Sequence, residues 1–288
     1  MRHQFGIKVG PARFRIGSDW PGPIAALRAL YRDYPAANST GFHDFTVRLE
    51  AFRPWRRWVR PSITIRADYM IPDAAPLPLA QGLLAAEMAM NLQMALGWRR
   101  HLLLHASAVE KDGRALIMTG ESGSGKSTLA ALLGEKGWRL MGDEFTLIAP
   151  SNGEAFAFPR PVSLKNDAIA AMTSFVPTER FGPLLTGTPK GDIRHLRPRA
   201  QAIARMEAPA SPSLLLFPRF GFAREIRPVT PSETFIRLTQ ASTNYVALGE
   251  AGYDCLTRFA ANVPARAIDY QSGEEALELV EHLWSALA

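Results

Sequence analysis

Alternating apolar and polar residues dominate the first quarter of the chain. Arg13-Phe-Arg-Ile16, Asp44-Phe-Thr-Val-Arg-Leu-Glu-Ala-Phe52 and Ser62-Ile-Thr-Ile-Arg-Ala67 place an apolar side chain at every second position, which predicts half-buried strands. The polar start, residues 1–8, reads into a strand and not as a signal peptide. A short helix is expected over 24–31, after Pro21-Gly-Pro23. The turn-rich run Pro72-Asp-Ala-Ala-Pro-Leu-Pro78 reads as a connection, so residues 1–78 are expected to form a β-rich N-terminal region and 79–288 a second domain. Residues 79–98 contain good helix formers and no internal proline, which predicts one long helix.

From residue 101 the pattern changes to strands alternating with helices. Residues 101–109 form a predicted strand, Asp112-Gly113 a tight hairpin turn and 115–119 the returning strand. A helix follows to Lys136-Gly137, where glycine is the favoured terminator. Strands are then expected at 138–141, 145–148, 213–217 and 265–270, and helices at 232–248 and 274–286. The pattern therefore predicts an α/β fold.

Between the strand at 115–119 and its helix lies Gly120-Glu-Ser-Gly-Ser-Gly-Lys-Ser127, a complete G-x-x-x-x-G-K-S sequence. In a strand–loop–helix setting this is a phosphate-binding loop, because glycine-rich backbone turns its N–H groups inward and the helix N-terminus favours negative charge. Gly120, Glu121, Ser122, Gly123, Ser124, Gly125, Lys126, Ser127 and Thr128 are the expected contacts to ATP. Lys126 would neutralise the β- and γ-phosphates, and the Ser127 hydroxyl would ligate Mg²⁺. Asp143-Glu144 ends the next predicted strand, where this kind of architecture builds sites. The bland reading of that acidic pair is a solvated turn.

These residues resemble the HPr kinase/phosphorylase superfamily, which is related in fold to phosphoenolpyruvate carboxykinase. The resemblance rests on His105, the short hairpin, the loop 120–127, Gly137-Trp-Arg-Leu140 and Asp143-Glu144. Over the whole chain it is most similar to the branch called HprK-related kinase A, through Glu87-Met-Ala-Met-Asn91, His105-Ala-Ser-Ala-Val109, Pro159-Arg-Pro-Val-Ser-Leu-Lys-Asn166 and Lys190-Gly-Asp-Ile-Arg-His-Leu196. The resemblance implies a P-loop kinase core and ATP-dependent phosphorylation of a hydroxyl, a serine in particular. It gives Asp143 the role of base and orienter and puts His105 in the active site. The family's second acid is aspartate; Glu144 departs from that, with metal ligation or water orientation as its duty. The reverse, phosphate-removing activity is not supported by this departure.

Arg160 and Lys165, on a proline-stiffened segment, are candidates for completing the γ-phosphate cage; solvated edge charges are the alternative. By analogy with the family, Lys190-Gly191-Asp192 and residues 194–199 read as a mobile, basic substrate loop. Glu87 and Asn91 share a helical face at i, i+4 spacing and are not assigned a catalytic role. The resemblance also implies a peptide substrate, ribosomally made, a PqqD-type peptide chaperone as partner, and a homo-oligomer. Rival readings are a small-molecule kinase, an ATP-hydrolysing switch and a degenerate scaffold, the last disfavoured by intact Lys126, Ser127 and Asp143.

Composition narrows little further. The 288 residues are 47% hydrophobic and 21% charged, ordinary for a globular protein. No run of about 18 apolar residues occurs, so no membrane span is expected. Cys255 stands alone, excluding an internal disulfide and suiting a cytoplasmic location. A net charge of +6 suggests anionic partners only loosely. Arg53-Pro-Trp-Arg-Arg-Trp-Val-Arg60 has a composition that could stack bases, but arginine stems over surface tryptophan are the commoner arrangement, and no nucleic acid partner is expected.

Overall fold

The computed structural model of the protein describes residues 2–37 and 41–287. The predicted N-terminal alternation produces a five-stranded sheet, with neighbours in the order His3–Val9, Ala12–Ser18, Phe45–Ala51, Ser62–Ala67 and Leu77–Pro78. The second and third strands are parallel, joined across the helix Pro21–Leu30; the other pairs are antiparallel. The period-2 pattern buries Phe14 and Ile16, Val47 and Leu49, and Ile63 on one face. The helix Gly82–Gly97 covers that face with Leu83, Ala86, Met90 and Met94.

A mixed six-stranded sheet forms the centre of the remainder, in the order Glu225–Pro228, Ala265–Tyr270, Ser211–Phe220, Arg114–Thr119, Ala106–Lys111 and Arg139–Gly142. Both faces of the central strands are apolar, so both must be covered. Leu116 and Met118 point to one face, beneath the helices Lys126–Glu135 and Gly273–Ser285. Ala115 and Ile117 point to the other, beneath Pro231–Ala241 and Glu250–Asn262. Cys255 is a buried thiol in that second layer. Two three-stranded sheets complete the structure: Ala155–Phe156, Thr146–Ile148 and Leu102–Leu104; and Val162–Lys165, Gly191–Leu196 and Phe181–Thr188. No helix among the described residues is long and apolar enough to cross a membrane.

Two sequence expectations need correction, and one helix was not expected. The strand expected over 101–109 breaks at His105, because Leu102–Leu104 pairs with Thr146–Ile148 in one sheet while Ala106–Lys111 pairs with Arg114–Thr119 in another. The helix expected over 232–248 stops at Ala241. There the chain turns to serve the strand Leu102–Leu104: Thr243 N–H donates to the Leu103 carbonyl (3.2 Å), and the Asn244 side chain takes the Leu103 N–H (2.8 Å) and donates to the Trp98 and His101 carbonyls. A separate helix, Glu250–Asn262, then follows, burying Gly252, Cys255, Leu256, Phe259 and Ala260 at helical spacing.

The same junction yields a pH prediction. Burial, seconded by the Arg100 charge, pushes the His101 imidazole down from 6.5 to about 4, and its Nδ1 accepts a bond from the Trp98 indole N–H (3.1 Å). Because the folded value lies below the unfolded one, this contribution to stability is complete above pH 6.5 and is lost as pH falls towards 4. Melting temperatures measured across that window should fall more steeply in the wild type than in His101→Gln. Parallel curves would refute the assignment.

Candidate active site

Topology brings distant segments to one edge of the central sheet. Ala106–Lys111 is antiparallel to both Arg114–Thr119 and Arg139–Gly142, so those two outer strands run in the same direction. Thr119, Gly142 and the start of Ala106–Lys111 therefore lie together, with Gly120 and Asp143 one residue after the first two and His105 one residue before the third. The hairpin that sets this register turns at Asp112 (φ 55°) and Gly113 (φ 77°), the two positive φ values that a two-residue turn requires.

The glycine loop leaves the sheet at Gly120 and enters the helix at Lys126. Gly123 (φ 86°) and Gly125 (φ 93°) hold left-handed conformations that other residues adopt only with strain. Gly125 also has no space for a Cβ, which would lie 2.2 Å from the Tyr270 hydroxyl. The Lys126 ammonium curls back over the loop, donating to the carbonyls of Gly120 (2.8 Å) and Glu121 (2.7 Å) and, at 3.4 Å, to Ser124 Oγ. Burial lowers its pKa, against the pull of the Asp143 and Glu144 charges. Among the described residues it forms no direct ion pair, and its hydrogen bonds all go to neutral groups, an arrangement that suits an anion held in the loop.

Asp143 is 2% exposed. Its Oδ1 accepts from the hydroxyls of Ser107 (2.6 Å) and Ser127 (2.9 Å), and its Oδ2 from the Ser163 N–H (3.2 Å). Burial, with Glu144 second, raises the Asp143 carboxyl above its ordinary value, and the three hydrogen bonds pull it back. Glu144 adopts φ 73°, rare for a residue with a side chain and the kind of local strain that clusters at functional sites. That conformation turns Glu144 away from Asp143's pocket to a point 3.6 Å from His105 Nδ1. His105 is half-exposed at this opening, its own backbone fixed by Ala241 and Thr119.

The arrangement gathers nearly all the sequence candidates: the loop 120–127, Thr128 in the helix's first turn, Asp143, Glu144, His105 and, within electrostatic reach of Lys126, Lys165. Arg160 is different. Its guanidinium is buried and donates to Tyr31 Oη (3.1 Å), Asn91 Oδ1, and the carboxylate and carbonyl of Glu87. Burial alone would lower its pKa, but Glu87 and then Tyr31 more than offset this and raise it. Arg160 is thus a structural cation with its donors committed, in place of the phosphate ligand expected from sequence. The i, i+4 pair Glu87 and Asn91 are its partners. The basic loop expected at 190–199 is also reassigned. Gly191–Leu196 is a strand between two others; Arg197 is held by Asp33 and the Glu179 carbonyl, and Arg199 by Glu135. Arg53–Arg60 forms a single tight turn, Pro54–Arg57, with Arg53 over Trp55 and Arg57 over Trp58.

Sequence reasoning missed Ser107 and Ser163. Ser107 lies two residues beyond His105, and its i+2 spacing was the available signal. Ser163 acts through its backbone N–H, which leaves no trace in residue type.

Comparison with known proteins adds modestly to this. A family model described as SynChlorMet cassette protein ScmC matches residues 83–172, a stretch containing the glycine loop and Asp143-Glu144. No curated protein matches the chain. Among solved structures, the Hpr(Ser) kinase/phosphatase from Coxiella burnetii aligns over 64% of this chain and 95% of its own, at 12% identity and a TM-score of 0.30.

Proposed function

We propose that the protein is an ATP-dependent phosphotransferase with a P-loop core of the HPr kinase type, moving the γ-phosphate to a hydroxyl, in particular a serine of a peptide or small protein. The observation that carries this reading is the buried Asp143 carboxylate bonded to Ser127 Oγ, with the open Glu144–His105 pair one residue away. In this reading the glycine loop and Lys126 hold the triphosphate. The residues also fit a hard divalent cation. No group of three or more His, Cys, Asp or Glu side chains among the described residues could hold a metal unaided. A hydroxyl and a carboxylate that share it with the nucleotide's phosphates are, however, the usual Mg²⁺ environment. Ser127 and Asp143 would be that pair, and bound Mg²⁺ would offset charge on the phosphates.

The geometry favours a division of labour that differs from the one the resemblance implies. Asp143 is enclosed by three donors and acts on Ser127. Glu144 is the carboxylate that an acceptor could reach, so it takes the hydroxyl proton as the acceptor oxygen attacks the γ-phosphorus. The bond from that phosphorus to the bridging oxygen breaks, and ADP departs. His105 orients Glu144. A peptide acceptor is supported by the N-terminal sheet, whose strand Ser62–Ala67 is paired with Leu77–Pro78 only at Ser62 and Ile63, leaving edge available for strand addition. A PqqD-type chaperone and self-association belong to the same proposal.

The test is transfer of label from γ-labelled ATP, with Mg²⁺, into an extract, comparing wild type with Lys126→Met. A labelled polypeptide that needs Lys126 is the expected result. Label only in small molecules would replace the peptide acceptor with a metabolite. Free phosphate alone, released at a rate no acceptor changes, would refute transfer and leave an ATP-driven switch.

A further inference from the structure

The glycine loop has a second flank, away from Asp143, and it carries side chains with no part in the chemistry above. Ser211–Phe220 and Ala265–Tyr270 run parallel to Arg114–Thr119 and end at the same edge, with Phe220 and Tyr270 in register. The loop rests on them. Tyr270 Oη lies 3.4 Å from the Ser124 carbonyl, and a Cβ on Gly125 would approach Phe220 Cβ to 3.5 Å.

Beyond this support the surface is aromatic. Phe220 is 52% exposed and Phe222 48%, separated by Gly221 (φ 91°), which turns the chain directly after the buried strand. The Phe220 ring leans on that of Tyr270, centroids 5.8 Å apart. Arg219 stands 4.0 Å over the Phe222 ring and is fixed by the buried Asp269 carboxylate through two bonds, 3.1 and 2.5 Å. Two half-exposed rings and a guanidinium clamped by a buried acid form a rigid, built surface. Rigid aromatic faces bind flat π-systems with little loss of side-chain freedom.

The direction of the bound triphosphate supplies the occupant. Lys126 and Ser127, with Asp143 beyond them, mark where the β- and γ-phosphates lie, on the Arg139–Gly142 side of the loop. The α-phosphate and nucleoside must then extend over the opposite side, towards Ser211–Phe220 and Ala265–Tyr270. We infer that Phe220, Phe222 and Arg219 form the platform on which the purine base of the nucleotide stacks. This inference rests on the phosphate-loop reading above. The platform recognises a planar ring system and contributes affinity separately from the phosphates.

Calorimetric titration of the full chain with Mg²⁺-ATP and with Mg²⁺-tripolyphosphate, which has no base, separates the two parts. The wild type should bind ATP about tenfold or more tighter than tripolyphosphate, the range of one stacked base. In Phe220→Ser/Phe222→Ser, ATP should fall to the tripolyphosphate level while tripolyphosphate binding is unchanged, which also shows that the variant is folded. Equal wild-type affinities, or an ATP preference that survives the double substitution, would overturn the platform and leave the phosphate loop standing. Loss of both ligands in the double variant would mean that the rings brace the loop, and would equally overturn it. A wild type that binds neither ligand would remove the phosphate-loop reading and the platform with it.

Discussion

In the proposed mechanism Glu144→Gln should lower phosphoryl-transfer turnover by about 10²–10⁴-fold, the range of a positioned acid–base group, and Asp143→Asn should lower it too, with a different signature. Asp143 is the acceptor of both the Ser107 and Ser127 hydroxyls, and its charge is the largest favourable one acting on Lys126. An amide there keeps the volume, removes the charge and loosens Ser127, so Asp143→Asn should also raise the Mg²⁺ concentration needed for half-maximal rate. Glu144 touches neither Ser127 nor Ser107; its neighbour is His105, at 3.6 Å. Glu144→Gln should leave the Mg²⁺ requirement and nucleotide affinity unchanged while turnover falls. In the proposed mechanism His105 orients Glu144, so the losses in Glu144→Gln and His105→Ala should not multiply in the double variant. Strictly multiplicative losses, or a Mg²⁺ shift in Glu144→Gln alone, would return the two acids to the roles the family resemblance implies.

The largest effect on stability is expected at Arg160→Met. Both side chains of the Arg160–Glu87 pair are only 4% exposed, and Glu87 Oε1 has no hydrogen-bond partner among the described residues. Removing the guanidinium leaves an uncompensated buried carboxylate, which costs about 3–5 kcal/mol. For a chain of this size that corresponds to a fall of roughly 10 °C in melting temperature. Replacing both partners, as Arg160→Met/Glu87→Leu, should recover most of the loss, since paired buried charges contribute little net stability over well-packed apolar groups. The single variant should also become more sensitive to pH. His195, whose Nε2 is 3.9 Å from Glu87, is kept low by burial first and is disfavoured as a cation by Arg160; without Arg160 it becomes the remaining counter-charge. A single variant as stable as the wild type would show that Arg160 is free to leave its pocket, and would restore the phosphate-binding role.

What could be read in advance divides along the range of the interactions. The hairpin at Asp112-Gly113, the glycine loop and the helix end at Gly137 depend on residues within a few positions of one another, and each has the turn chemistry its backbone needs. Arg160 was misjudged because its partners lie 69 to 129 residues upstream, on the helix Gly82–Gly97 and at the end of Pro21–Leu30, and no local pattern records that a basic residue will be enclosed. The end of the helix Pro231–Ala241 was missed for a related reason. Its sequence permits continuation, and the Asn244 bonds to Leu103, Trp98 and His101 divert it. Glu144 shows a third kind of limit. Its left-handed backbone is imposed by the surroundings and is not preferred by a glutamate. Glu250–Asn262 was not assigned from sequence, although its apolar positions recur at helical spacing; glycines at 249 and 252 weaken that pattern.

The antiparallel strand Ala106–Lys111, placed between the glycine-loop strand and the acid-bearing strand, has a consequence for how the molecule acquires its shape. In a sheet of parallel strands the intervening position would be filled after a long crossover. Here it is filled from immediately upstream, so His105, the glycine loop and Asp143-Glu144 all belong to one stretch of about forty residues, closed by a two-residue hairpin turn and by a crossover through the glycine loop and the helix Lys126–Glu135. Short closures sacrifice little chain entropy and form quickly. The pocket's principal walls thus rest on contacts of low sequence separation, whereas Ser211–Phe220 and Ala265–Tyr270 join them from much further along the chain.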